Sequence, residues 1–180
     1  MMVLSGSGGA VQYVKMAVGW DPVRRARFGS RARDIDLNAA ALLYAGGSLV
    51  DAVYHEQLSS TDGAVRHHGD STTGEGKGDN EVITVDLTRL AAHVDAITFL
   101  VTCYTGQTFA EVENAFCRLV DGGTDRELAR YDLAAAGAAP GLLMGVLYRR
   151  EPAWEYRGVE LALQARHPVE AVPAIAAHLG

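Results

Sequence analysis

Asp34-Ile35-Asp36-Leu37-Asn38-Ala39 alternates polar and apolar residues without a break, and the run continues as Ala40-Ala41-Leu42-Leu43-Tyr44. A period of two is the signature of a β-strand, whose successive side chains point to opposite faces. Asp34, Asp36 and Asn38 therefore share one face of an entering strand, and Ile35, Leu37 and Ala39 share the other. Outward from this segment the chain repeats short β-prone runs separated by turn signals. Strands are expected over residues 11–18, 36–44, 50–54, 82–85, 97–104, 115–119, 127–131, 142–148 and 154–159. Ala45-Gly46-Gly47-Ser48, Ser60-Thr61-Asp62-Gly63 and Asp121-Gly122-Gly123-Thr124 offer residues that tolerate φ > 0, as tight antiparallel connections require. The pattern predicts an all-β fold, an antiparallel β-sandwich of two sheets.

Short helices interrupt the strands. Residues 87–93 read as a single turn, and so do residues 108–112, where Thr108 and Glu111 have the spacing of a capping box. Residues 172–179 read as a short C-terminal helix with Pro173 at its first position, where a missing N–H costs nothing. Residues 1–10, with Ser5-Gly6-Ser7-Gly8-Gly9, read as a flexible tail, and residues 11–180 as one domain. A chain of 180 residues is long enough to bury a core of its own.

Composition excludes several classes of function. Sixteen Lys and Arg against twenty-two Asp and Glu give a net charge of −6, which disfavours nucleic acid as a partner. Arg24, Arg25, Arg27, Arg31 and Arg33, with Lys15, form a local basic cluster that reads as a solvated counterweight to the acids. No apolar run reaches the length of a membrane span, and no secretory leader is recognisable, so the cytoplasm is the expected address. Cys103 and Cys117 both sit in apolar runs and read as buried free thiols.

The second informative stretch is Gly69-Asp70-Ser71-Thr72-Thr73-Gly74-Glu75-Gly76-Lys77-Gly78-Asp79-Asn80-Glu81, with four acids and four glycines in thirteen residues. Hard carboxylate oxygens on a glycine-rich backbone suit calcium better than zinc or copper. So many carboxylates repel one another unless a cation neutralises them. The expected ligands are Asp34, Asp36, Asp70, Glu75, Asp79 and Glu81, with Asn38 and Asn80 beside them and carbonyls from Thr73, Gly74 and Gly76 completing a shell. Asp34-Ile35-Asp36-Leu37-Asn38 does not open an EF-hand: that loop needs Gly at its sixth position and Glu at its twelfth, where this chain has Ala39 and Ala45. Nor is Gly76-Lys77 a phosphate loop, since Ser71 and Gly78 stand where Gly and Ser or Thr are required. His67-His68-Gly69-Asp70 has the look of a metallohydrolase cluster, yet no second His-rich segment completes it.

These residues resemble the TerD family of tellurium-resistance and stress-response proteins, whose signature runs Gly-Asp-Asn-x-Thr-Gly-Glu-Gly-x-Gly-Asp-Asp-Glu. Gly19-Trp20-Asp21 and Asp34-Ile35-Asp36-Leu37-Asn38-Ala39 resemble the family's upstream segments, and Asn114-Ala115-Phe116, Ala129-Arg130-Tyr131-Asp132-Leu133, Leu147-Tyr148-Arg149 and Trp154 follow in its order. The resemblance implies two calcium ions, a cytoplasmic role in the response to tellurite or chemical stress, and partners in the same resistance system near the inner membrane. Asn38, Ser71, Lys77 and Asn80 depart from the family pattern and remove negative charge, so one calcium site is expected and the second is in question. No enzyme activity is expected. The alternatives are an adaptor that no longer needs calcium and a magnesium-dependent phosphoester or nucleotide hydrolase.

Overall fold

The computed structural model describes residues 2–6, 9–21, 35–69, 78–105, 107–151 and 153–179. In chain order the strands are β1 Met2–Val3, β2 Ser5–Gly6, β3 Gly9–Ala10, β4 Tyr13–Gly19, β5 Leu37–Ala45, β6 Ser48–Val53 and β7 Val65–His67. They continue with β8 Glu81–Asp86, β9 Ala96–Cys103, β10 Phe116–Asp121, β11 Arg126–Asp132, β12 Gly141–Arg150 and β13 Ala153–Leu163. One sheet has the order β1-β13-β12-β9-β5-β6 and the other β11-β10-β4-β8-β7, while β2 and β3 form a small ribbon. Every recorded pairing is antiparallel. The sandwich read from the sequence is the fold.

The alternation in β5 does its expected work. Leu37, Ala39, Ala41 and Leu43 enter the core between the sheets, where they meet Val14, Met16, Val18, Ile83, Val85, Phe99 and Leu119. The other face carries Ala40, Leu42 and Tyr44, which pack under the C-terminal segment through Ala171 and Ile175. Both faces of β5 are thus covered, which is why its second half reads as a continuous apolar run rather than an alternation. Burial of each large side chain contributes about 1.5–3 kcal/mol.

The two-residue hairpin between β5 and β6 uses Gly46 and Gly47 at φ +56° and +82°, the left-handed values a tight hairpin turn demands. Thr108 starts a 3₁₀ turn at Phe109–Glu111, and its backbone N–H donates to Glu111 Oε2 at 2.7 Å, as the capping-box spacing predicts. The C-terminal segment forms a 3₁₀ turn at Pro168–Ala171, a short helix α1 at Val172–Ile175 with Pro173 in its first turn, and a further 3₁₀ turn at Ala176–His178. Cys103 and Cys117 are buried free thiols.

Three expectations are corrected, and one strand was not foreseen. Met2–Val3 pairs with β13, and Leu4 is buried in the core with its N–H donating to Trp154 O, so the fold reaches back beyond Val11. Residues 87–93 form turns instead of a helix, because Asp86 Oδ1 captures the Thr88 N–H and hydroxyl and so competes with helical bonding. β7 is too short for its alternation to register in the sequence. Tyr104, expected as the last residue of a strand, lies just past β9, is half exposed and meets His55 edge to face with ring centroids 5.2 Å apart.

Candidate functional site

At one end of the sandwich β5, β8 and β10 begin and β4 finishes, since Gly19 lies opposite Phe116 and Val18 opposite Glu81. The expected ligands among the described residues collect at this end. Asp34, Asp70, Thr73, Gly74, Glu75 and Gly76, like Arg24 to Arg33, lie outside the described residues.

Trp20, just past β4, fastens the two acidic segments to each other. Its indole N–H donates to Ile35 O at 3.0 Å, and its backbone N–H donates to Asn80 Oδ1 at 2.9 Å. Asn80 in turn donates its own N–H to Val18 O at 2.8 Å, extending the β4–β8 ladder by one step. Gly19 has to be glycine here, because a Cβ would collide with the Phe116 ring and with Gly78 O.

Glu81 is fully buried and shares the inward face of β8 with Ile83 and Val85. β6 pairs with β5 only from Ala41 onward, so the Ala39 N–H has no partner in the ladder on that side. Glu81 Oε1 fills the gap, accepting from Ala39 N–H at 3.0 Å. The same oxygen lies 3.0 Å from His67 Nε2. His67 Nδ1 accepts from Gly69 N–H at 3.1 Å, so the imidazole proton sits on Nε2 and is donated to Glu81. One carboxylate oxygen thereby joins both sheets and the start of the acidic stretch. His68 Nε2 bonds Thr84 Oγ1 at 2.7 Å, so the two histidines do not converge on a catalytic metal.

The remaining expected ligands diverge. Asp36 is buried; its N–H donates to Thr105 Oγ1 at 3.2 Å and its carbonyl accepts from Tyr104 N–H at 3.1 Å. Asn38 is 1% exposed, and among the described residues neither its Oδ1 nor its Nδ2 has a hydrogen-bond partner. It shares its face with Ala40 and Leu42, the side of the sheet opposite to the one Glu81 approaches. Thr102, directly across the ladder, is also buried with an unpartnered hydroxyl. Asp79 turns toward β10, where Arg118 Nε and Nη2 donate to its two oxygens at 3.0 and 2.7 Å. Those bonds, and after them the nearby Glu127, hold the Arg118 guanidinium above its ordinary pKa against the opposing effect of burial.

The donor set suits a hard cation in its chemistry: it is rich in oxygen, and Asn38 carries a buried amide without a partner among the described residues. Asn80 and Glu81 fit less directly, because each side chain already accepts protein N–H groups. Among the described residues no group of three or more His, Cys, Asp or Glu side chains is close enough to hold a metal ion. Burial first, then the carboxylates of Glu111 and Asp36, pushes the Cys103 thiol up to about 12. Burial, then Glu160, does the same for Cys117, so both stay protonated and are poor soft ligands. Sequence reasoning missed Arg118, for which no local signal exists, and, having set His67-His68 aside as an incomplete metal cluster, did not foresee His67 as the donor to Glu81.

A family model described as the TerD domain matches residues 2–166. A tellurium resistance protein TerZ from Serratia marcescens is 41% identical over 169 residues, covering 91% of this chain and 86% of that protein. A tellurium resistance protein TerD from Alcaligenes is 38% identical, covering 88% and 84%. General stress protein 16U from Bacillus subtilis is 34% identical, covering 81% and 78%. Among solved structures, a homologue of the telluride resistance protein TerD from Streptomyces coelicolor superposes with a TM-score of 0.79 at 24% identity, covering 91% of this chain and 96% of that one. That likeness shows the shared fold.

Proposed function

Because the chain belongs to the TerD family of tellurium-resistance and stress-response proteins, we propose that it is a calcium-stabilised interaction module of a resistance system and not an enzyme. The observation that carries this reading is the fastening at one end of the sandwich. Glu81 and Asn80, at the close of the acidic stretch, are bonded to Ala39 and Trp20, and Trp20 is bonded to Ile35 beside Asp34 and Asp36. Two acidic segments far apart in the chain are thereby held to one place.

In this reading Asp34, Asp36, Asn38, Asp70 and Glu75 supply side-chain oxygens, and Thr73, Gly74 and Gly76 supply carbonyls. Asn80 and Glu81 anchor the stretch. Bound calcium would supply the positive charge that lets these carboxylates share one region. Ion binding then becomes conformational stability, and the ordered surface is what a partner in the same system reads. The cytoplasm, facing the inner membrane, is the proposed setting; among the described residues no helix is long and apolar enough to cross a membrane.

Thermal unfolding after chelation, with calcium, magnesium or neither added back, tests the proposal alongside calorimetric titration. A calcium-selective rise in Tm, lost in Asp70→Ala, is the expected result; no rise with any ion sinks it. A rise with magnesium alone would redirect attention to phosphoryl chemistry. A second reading, an adaptor that has lost its need for calcium, is favoured by one specific observation: Asn80 and Glu81 find protein partners without any ion. Partner binding unaffected by chelation would select it.

A further inference from the structure

Asp79 stands in the acidic stretch where a ligand is expected, yet its carboxylate meets a guanidinium in fork-to-fork geometry. Arg118 Nε donates to Oδ1 at 3.0 Å and Nη2 to Oδ2 at 2.7 Å, the bidentate pairing in which each oxygen has its own donor. The arginine is itself held in place. Its Nη1 lies 3.6 Å from Glu127 Oε1, and Arg130 Nη1 donates to the same oxygen at 3.0 Å. Arg130 then stacks on Phe116, its guanidinium carbon 4.1 Å from the ring centroid. Phe116 lies over Gly19, at the place where an added Cβ would also run into Gly78 O, one residue before Asp79. Side chains from β10 and β11 thus grip the chain at Gly78 and Asp79 from the outer face of the smaller sheet.

We propose that Arg118 clasps Asp79 independently of any metal, fixing the trailing end of the acidic stretch and keeping Asp79 outside the calcium shell. The second half of this inference rests on the calcium reading; the first half does not. The geometry gives the reason. Asp79 and Arg118 retain 25% and 28% side-chain exposure, so neither is desolvated deeply enough to make the pair costly. A bidentate, braced arginine is the arrangement in which an ion pair of this exposure holds one conformation. For Asp79 to serve calcium, the carboxylate would have to leave both donors and strand Arg118 beside a divalent cation. Like charge at that distance works against binding.

Two measurements on the full chain test the clasp. The first is a double-mutant cycle of Asp79→Asn and Arg118→Met, read as Tm in chelator. Each single change is expected to lower Tm by about 2–4 °C, and the double change by little more than either alone. Additive losses would overturn the clasp. The second is calorimetric calcium titration of wild type, Asp79→Asn and Arg118→Met. Dissociation constants within about twofold of wild type are expected for Asp79→Asn, since a group outside the shell contributes little to affinity. A weakening of about tenfold or more in Asp79→Asn, with tightening in Arg118→Met, would show that Asp79 is a ligand and Arg118 its competitor, overturning the inference. If wild type binds no calcium, the calcium reading falls, and the cycle alone decides the clasp.

Discussion

The two ends of this sandwich use acidic side chains in opposite ways. At the end where β4 begins and β5 and β8 finish, carboxylates serve mainly their own turns, with Asp95, which accepts from Gly46 N–H across 49 positions, as an exception. Asp62 accepts from Ser60 Oγ, Ala64 N and Ala91 N, Asp86 accepts from Thr88, and Asp121 accepts from Gly123 N. Most of these donors lie two residues away. At the other end the reach is long: Asp79 to Arg118 spans 39 positions, Glu81 to Ala39 spans 42, Asn80 to Trp20 spans 60 and Asp21 to Asn114 spans 93. Local bonds shape a turn and go no further. Long-range bonds make one end of the molecule a junction of distant segments, the kind of place where an added ion or partner can change several of them together.

The largest effect expected from breaking this contrast is at Glu81. Glu81→Ala leaves the buried Ala39 N–H and His67 Nε2–H without their acceptor, and stranded donors of this kind cost about 1–3 kcal/mol each. Urea unfolding should show a loss of about 3 kcal/mol or more, together with weaker hydrogen-exchange protection at Ala39. A loss under about 1 kcal/mol would mean that the junction is held by something else.

Asp62 offers the matched test at the turn end. Burial opposes ionisation of its carboxyl, but the bonds from Ser60, Ala64 and Ala91 outweigh it, and the folded-state pKa is lowered from 3.8. A depressed carboxyl pKa contributes stability that is fully present above the unfolded value and is lost as pH falls through the folded one. Asp62→Asn should therefore cost about 1 kcal/mol at neutral pH and flatten the pH dependence of stability below 3.8. If the two proteins lose stability in parallel as acid is added, the turn bonds contribute nothing to ionisation.

How much was legible in the sequence follows the same division. The Asp34–Ala39 alternation, the Gly46-Gly47 hairpin and the Thr108/Glu111 cap are local patterns, and each appears in the structure as read where it is described. The sandwich itself was readable because strands and turns are local. What could not be read was pairing across the fold. Nothing near Asp79 points to Arg118, and nothing near Glu81 reveals that β6 stops short of Ala39. The acidic residues were recognisable as a set. Their partners were not, because a side chain's nearest donor is fixed by topology, not by its neighbours in the chain.

The smallest expected effect lies at Thr102, and its sign carries the information. Asn38 and Thr102 face each other across β5 and β9, both buried, with Asn38 Oδ1, Asn38 Nδ2 and Thr102 Oγ1 unpartnered among the described residues. A buried polar group without a partner costs stability, so the nearly isosteric Thr102→Val should raise stability by about 0.5–1 kcal/mol in chelator. A loss instead would mean that the hydroxyl has a partner in solution, with an ordered water bridging to Asn38 as the first candidate. Repeating the measurement with calcium separates the two residues. If Asn38 lends its amide oxygen to an ion and Thr102 does not, the gain persists unchanged while Asn38→Leu abolishes the calcium-dependent part of the stability. A gain from Thr102→Val that disappears with calcium would place Thr102 in the shell beside Asn38, on the face of the larger sheet opposite to the one Glu81 approaches.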